Sequence, residues 1–304
     1  MKLGLLSAIL PDLSYEEVVD FASENGFKCL EICCWPVGKA ERKYAGVTHI
    51  DVNDLSKDKA DELMGYVKNR RIEISGLGYY PNPLDPDLEQ RAVSIDHIKK
   101  AITAAALLGV NQMNTFIGRD PKASIPDSMA DFRKTWPDIV KFAEDAGVKI
   151  GIENCPMFFT MDEWPGGKNL AASPKIWTEM FTAIDSRYFG LNYDPSHLVW
   201  QRMDYIAPIY DFAEKIFHIH IKDAKFFPEK YNKAGMFAAP LEYHAPKIPG
   251  YGDIKWGEFF CALSEIGYKG AAVIEVEDRS FEESLEARKR SILQSKQYLN
   301  QYIL

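Results

Sequence analysis

The chain has 304 residues, 46% of them apolar, so it can bury a large core, and one barrel-sized domain of roughly 250 residues or somewhat more accounts for its length. A net charge of −8 argues against a nucleic-acid partner, whose phosphates are held by clustered Lys and Arg that release counterions. No run approaches about 18 consecutive apolar residues, which leaves no membrane span.

In chain order, the opening MKLGLLSAILPDLS is broken by Pro11 and Asp12 and runs into an amphipathic helix, as a first strand does and a signal peptide does not. Short apolar runs predict strands at 3–8, 28–33, 71–77, 111–116, 148–154, 188–194, 216–222 and 271–276. Helical patterns lie between them, near 14–25, 56–70, 89–109, 127–147, 173–184, 204–214, 255–267 and 281–299. Ser14 with Glu17 reads as a capping box, Ser173 precedes Pro174 at a first helical position, and Gly26, Gly109, Gly147 and Gly267 end helices. Strict alternation of strand and helix predicts a single-domain (β/α)8 TIM barrel over 1–304. Cys29, Cys33, Cys34, Cys155 and Cys261 form no CxxC pair and are expected to be reduced, in keeping with a cytoplasmic location.

The helix-to-strand connections are short, whereas the strand-to-helix loops near 34–55, 78–88, 155–172 and 223–254 are long, and in barrels that side carries the active site. The 223–254 loop is rich in aromatics (Phe226, Phe227, Tyr231, Phe237, Tyr243), which suits closure over a ligand or a contact in a homo-oligomer.

Four strand ends carry chemistry. Glu153, Asp194, His220 and Glu275 terminate KIGIEN, YFGLNYD, IFHIHIKD and AAVIEVED, so a barrel brings them to one rim. Alternation along IFHIHIKD points His218, His220 and Lys222 inward at successive depths, with His220 at the height of the carboxylates. An inward carboxylate is costly unless paired or metal-bound. Taken alone, Glu275 could pair with Lys222, and His220 could be a core histidine. Together, three carboxylates and one imidazole suit a single divalent cation, Mn2+ foremost, with Mg2+, Co2+ or Zn2+ as alternatives.

The segments GIENCPM, NYDPSHLVW, HIHIKDAK, PGYGDIKW and IEVEDRS, in that order, resemble the xylose-isomerase-like TIM-barrel superfamily of sugar isomerases and epimerases, and YYPNPLDPD and NTFIGRD extend the likeness along the chain. The resemblance implies that Glu153, Asp194, His220 and Glu275 are metal ligands and that His197 and Lys222 lie near the substrate. The superfamily's DNA-repair nucleases carry extra histidines for a three-metal site. The matching stretches GLGYYPN, MNTFIGRD and HAPKIPGYG supply at most His244, which disfavours phosphodiester chemistry.

A metal-dependent isomerase or epimerase acting through an enediolate is therefore expected, with Glu153 and Glu275 as the proton-transfer pair. His197 would hydrogen-bond the substrate, and Lys222 would stabilise the enediolate or neutralise the acids. Trp35 and Trp164 are candidates to stack on a sugar, whereas Trp177, within a helix, is expected in the core. No phosphate cradle is evident, so the substrate is read as an unphosphorylated sugar or sugar derivative. A lyase or dehydratase acting on a 3-keto sugar, keto-inositol or 3-keto glycoside is the alternative, since it begins with the same proton removal. A non-catalytic sugar-binding protein is disfavoured because every ligand and base is in place.

Overall fold

The computed structural model describes residues 1–38 and 45–303, so part of the 34–55 loop lies outside the described residues. Eight short parallel strands close a barrel: β1 Lys2–Leu6, β2 Cys29–Cys33, β3 Glu73–Gly78, β4 Gln112–Thr115, β5 Lys149–Glu153, β6 Phe189–Tyr193, β7 Ile216–Ile221 and, after two strands outside the barrel, β10 Ala271–Ile274. Neighbours in sequence are neighbours in the sheet, and β10 closes the ring between β7 and β1. The outer pair, β8 Asp223–Phe226 and β9 His244–Lys247, is antiparallel, with Asp223 opposite Lys247 and Phe226 opposite His244. It occupies a stretch expected to be loop. There the alternation is too short to mark a strand, and the pairing partner lies some twenty residues away.

Ten helices accompany the strands: α1 Tyr15–Glu24, α2 Lys57–Asn69, α3 Leu88–Leu108, α4 Ile125–Ala146, α5 Pro174–Ala183, α6 Ser196–Trp200, α7 Ala207–Asp211, α8 Pro228–Ala234, α9 Trp256–Glu265 and α10 Leu285–Leu299, counted among the described residues. Ser14 and Glu17 form the expected capping box at α1, and Gly109 and Gly147 close α3 and α4 in the left-handed conformation, at φ 71° and 70°. Ser173 precedes α5 without a side-chain cap, leaving Pro174 as the start signal. The helix expected over 204–214 shrinks to α7. Asp204 Oδ1 accepts from the amides of Ile206 and Ala207, a turn that competes with helix, and Pro208 has no N–H with which to extend it.

The apolar layer lies between barrel and helices. Phe132 and Trp136 of α4 pack on Phe189 of β6, with ring centroids 5.9–6.3 Å apart. Trp177 is fully buried as expected, edge-on to Phe212 at 5.4 Å, with its indole N–H donating to the Ala171 carbonyl at 2.7 Å. Inside the barrel the lining is polar instead. Gln112 donates to Asn114 Oδ1 at 2.7 Å, and a Cβ on Gly151 would lie 2.4 Å from that oxygen, so glycine is needed there. Register shifts fall at Leu30/Glu31 on β2 and Leu191/Asn192 on β6, and such bulges re-aim side chains.

The long loop after β7 is clipped at its ends by the buried Asp223. One of its oxygens accepts from the amides of Ala224 (2.8 Å) and Ile254 (3.2 Å), the other from Gly250 N (3.0 Å) and Trp256 Nε1 (2.9 Å).

Candidate metal centre at the barrel mouth

Glu153 ends β5, Asp194 follows β6, His220 lies on β7 and Glu275 follows β10, so parallel strands deliver all four to the same rim. One ligand-type atom from each lies within 4.8 Å of the others, a little over twice a metal–ligand bond of roughly 2.0–2.2 Å. Neighbouring amides hold them. Asn154 Oδ1 accepts from Asp194 N at 2.7 Å while its Nδ2 donates to Asp194 O at 2.8 Å, which continues the β5–β6 pairing past the strand ends. Asn169 Nδ2 donates to the carbonyls of Glu153 and Cys155, and its Oδ1 accepts from Ile117 N, tying the rim after β4 to the rim after β5.

Asp194 Oδ2, His220 Nδ1 and Glu275 Oε2 are buried and meet no hydrogen-bond geometry among the described residues, although Lys222 Nζ lies 3.2 and 3.1 Å from the two carboxylate oxygens. His220 Nδ1 and Glu275 Oε2 face each other at 3.0 Å without hydrogen-bond geometry. The three converge on one point, where the only neutralising charge comes from ion-pair contact with Lys222 and the two histidines among the described residues. Three carboxylates and an imidazole, with these open atoms, fit a hard or borderline divalent cation.

The other face of His220 is fixed. Its Nε2 lies 2.7 Å from Glu31 Oε2, so an Nε2–H donates there and Nδ1 is the ring nitrogen turned toward the cluster. Tyr80 donates its hydroxyl to Glu31 Oε1, and Gly78 leaves the room, since a Cβ there would sit 2.6 Å from that oxygen. Glu31 and Tyr80 were not singled out from the sequence. The available signal was a lone carboxylate inside the apolar run CLEICC of β2, in phase with an inward face. Below them, His218 Nδ1 donates to Asn192 Oδ1 and Ser75 Oγ donates to His218 Nε2, each at 3.0 Å.

Lys222 and His197 also reach the cluster. Lys222 Nζ lies 3.1 Å from Glu275, 3.2 Å from Asp194, 3.3 Å from Glu277 and 4.0 Å from Glu153. His197 Nε2 lies 3.2 Å from Asp194 Oδ2 and 3.3 Å from Glu153 Oε1. Burial disfavours charge on His220 and Lys222, but the surrounding carboxylates outweigh it and hold both well above their ordinary values. Burial also raises Glu275, whereas for Glu153 the contacts with His197 and His220 win and hold it well below the usual range. Burial takes His218 down to about 4. The metal-free cluster thus gathers protons where a cation would otherwise supply charge.

Trp35 lines the pocket over the carboxylates, and its buried Nε1 has no partner. Trp164 instead lies against Phe158 at 5.6 Å and Phe237 at 6.0 Å, outside that lining. His244 is buried, stacked on Trp200 at 5.1 Å with Nδ1 bonded to the Pro240 carbonyl, a packing role. All five cysteines are free, with Cys261 alone exposed, and no helix among the described residues is long and apolar enough to cross a membrane.

A family model described as xylose isomerase-like TIM barrel matches residues 19–302. Among sequence relatives, the uncharacterized protein YfiH of Bacillus subtilis is 26% identical, over 97% of this chain and all of its own length. An inosose dehydratase of Lactiplantibacillus plantarum is 28% identical over 71% of this chain and 73% of its own. Among solved structures, a D-tagatose 3-epimerase-like protein superposes with a TM-score of 0.71 at 23% identity, covering 100% of this chain and 97% of that one. The IOLI protein with a bound zinc atom gives 0.73 at 18% identity, covering 100% and 99%. At these identities the two structures speak to the fold.

Proposed function

This chain belongs to the xylose isomerase-like TIM-barrel family, and from that membership and the geometry of its acidic mouth we propose that it is a divalent-metal-dependent sugar isomerase or epimerase. The observation that carries the reading is the convergence of Asp194 Oδ2, His220 Nδ1 and Glu275 Oε2, buried and outside hydrogen-bond geometry, beside Glu153. In this reading those four residues hold one cation, with Mn2+ first among the choices. When bound, the cation would draw charge from a ketone oxygen and its neighbouring hydroxyl and so acidify the carbon between them.

Glu153 and Glu275 stand on β5 and beyond β10, with β6 and β7 between them in the ring, so their carboxylates reach a sugar carbon from two sides. One takes the proton and the other returns it. Return to the same carbon from the opposite face gives the epimer; return to the adjacent carbon gives the isomer. Lys222 stabilises the oxygen that gains negative charge, His197 hydrogen-bonds a substrate hydroxyl, and Trp35 offers its free indole N–H.

A second reading, a dehydratase acting on a keto-inositol or related keto sugar, is favoured by the relatives named inosose dehydratase. It shares the first proton removal and diverges in expelling a group from the next carbon. Metal-loaded protein incubated in D2O with a panel of ketoses and keto-inositols separates the two. Deuterium at the acidic carbon with a new epimer or isomer supports the first reading, and release of water without either supports the second. Elemental analysis should find about one ion per chain, and His220→Ala should lose it; a full complement in that variant would remove the metal site.

A further inference from the structure

Beside the acidic mouth lies a second cavity of about 450 Å³, against about 60 Å³ for the pocket over the carboxylates. Where a single water needs about 10–15 Å³, the smaller pocket accepts a handful of water-sized groups, enough for the reacting edge of a sugar. The larger one falls in the roughly 300–1,000 Å³ range of pockets that enclose drug-sized ligands. The two are joined. Trp35, Tyr80, Phe116 and Met157 line both, so the path from Glu275 into the larger cavity runs along an aromatic wall.

The chemistry of that annex is specific. Tyr79 meets Trp35 edge-on at 4.9 Å, and Tyr80 and Phe116 sit 5.1 Å apart, giving flat apolar faces on the near side. The far side comes from Gln90, Val93 and Ser94 of α3. Asn82 is already committed, donating to the Arg119 carbonyl at 2.9 Å and accepting from Arg119 N at 2.8 Å. Trp35 Nε1 is buried and unpartnered at the junction. Among the described lining residues two acids, Asp85 and Glu163, face one exposed cation, Lys168, which disfavours an anionic group there.

We propose that the substrate is a two-ring molecule: a sugar ring whose reacting edge enters the acidic pocket, joined through an oxygen to a second, uncharged ring that stacks in the annex. This rests on the sugar-active reading above, whose ketone stays on the reacting ring, and narrows its substrate class from free ketoses to keto sugars that carry a second ring. Trp35 Nε1 donates to an oxygen near the linkage. The second ring is recognised by its flat face, which an aryl group and the C–H face of a pyranose both present.

The test uses the metal-loaded full chain and calorimetric titration with D-glucose and D-galactose, their phenyl β-glycosides, cellobiose and lactose. At least one two-ring ligand should bind about tenfold or more tightly than its parent hexose. A gain confined to the phenyl glycosides identifies an aryl ring, and one confined to the disaccharides a glycosyl ring. Val93→Trp, at a half-exposed position on α3, should reduce the gain to about threefold or less by filling the annex, and Gln90→Trp, one turn away, should act in the same direction. Equal affinity for one-ring and two-ring ligands, no binding by any of them, or a gain untouched by both substitutions overturns the proposal. Exchange in D2O on free ketoses, measured separately, would leave the isomerase reading standing in that event.

Discussion

Two layers of polar side chains stack inside one barrel and are completed in different ways. In the lower layer Ser75, His218 and Asn192 satisfy one another through bonds of 3.0 Å, and His218 is kept neutral by burial. In the layer above, His220, Asp194 and Glu275 each hold a buried atom outside hydrogen-bond geometry, in ion-pair contact only, and His220 is pulled toward its protonated form. His218 and His220 are two residues apart on one strand, so strand and residue type do not explain the contrast. Their neighbours do: an amide, a hydroxyl and Glu31 alone at 3.6 Å below, four carboxylates above. A satisfied polar layer fixes the packing of a core, whereas an unsatisfied one reserves a place for charge from outside.

The contrast should break most sharply at the pair proposed to transfer the proton. Glu153→Gln and Glu275→Gln should each lower turnover on the order of a hundredfold or more, because an amide does not accept a proton at neutral pH. Near-normal kcat in either variant, with ion content unchanged, moves the base to His197 or Lys222.

A smaller effect is expected one bond further out. Glu31→Gln keeps the shape but loses the charge behind His220, and metal affinity measured by competitive titration should fall about 10–100-fold. Unchanged affinity would leave Glu31 a packing residue. Ser75→Ala should do the reverse. It leaves His218 Nε2 unmatched and should cost about 1–3 kcal/mol in urea unfolding, with ion stoichiometry intact.

The smallest signal is the cleanest comparison of the layers. In metal-free protein followed by NMR, the His220 ring should remain protonated above the usual histidine range, while His218 stays neutral as pH falls toward about 4. A depressed folded value means that the unfolded chain binds the proton first, so the His218 contribution to stability is complete above the unfolded value near 6.5 and is lost as pH falls toward 4. For His220 the sign is opposite at the metal: protons compete for Nδ1, so ion affinity should rise with pH. Parallel titration of the two rings would erase the distinction.

Much of this was legible in the residues. Each of the eight barrel strands lies within two residues of its expected ends, because apolar runs bounded by glycine turns are local signals. The meeting of Glu153, Asp194, His220 and Glu275 followed from strand ends sharing a rim. Glu31 escaped because its meaning depends on a histidine 189 positions away, and the β8–β9 ribbon escaped because its pairing is equally non-local. Trp164 was weighed as a sugar platform, yet it packs on Phe158 and Phe237, a contact that depends on where the 223–254 excursion lies.

That excursion begins and ends on one side chain. With Asp223 gripping the amides of Ala224, Gly250 and Ile254, and Gly252 so close that a Cβ there would sit 2.0 Å from its oxygen, the barrel is sealed beneath the insertion whatever the insertion contains. Each doubling of such a closed loop costs only about 0.6 kcal/mol in chain entropy. The segment from α8 to β9 is therefore a cassette hung on one carboxylate: chain closure constrains its length only weakly, while the stack of His244 on Trp200 keeps its far end on the helix that carries His197.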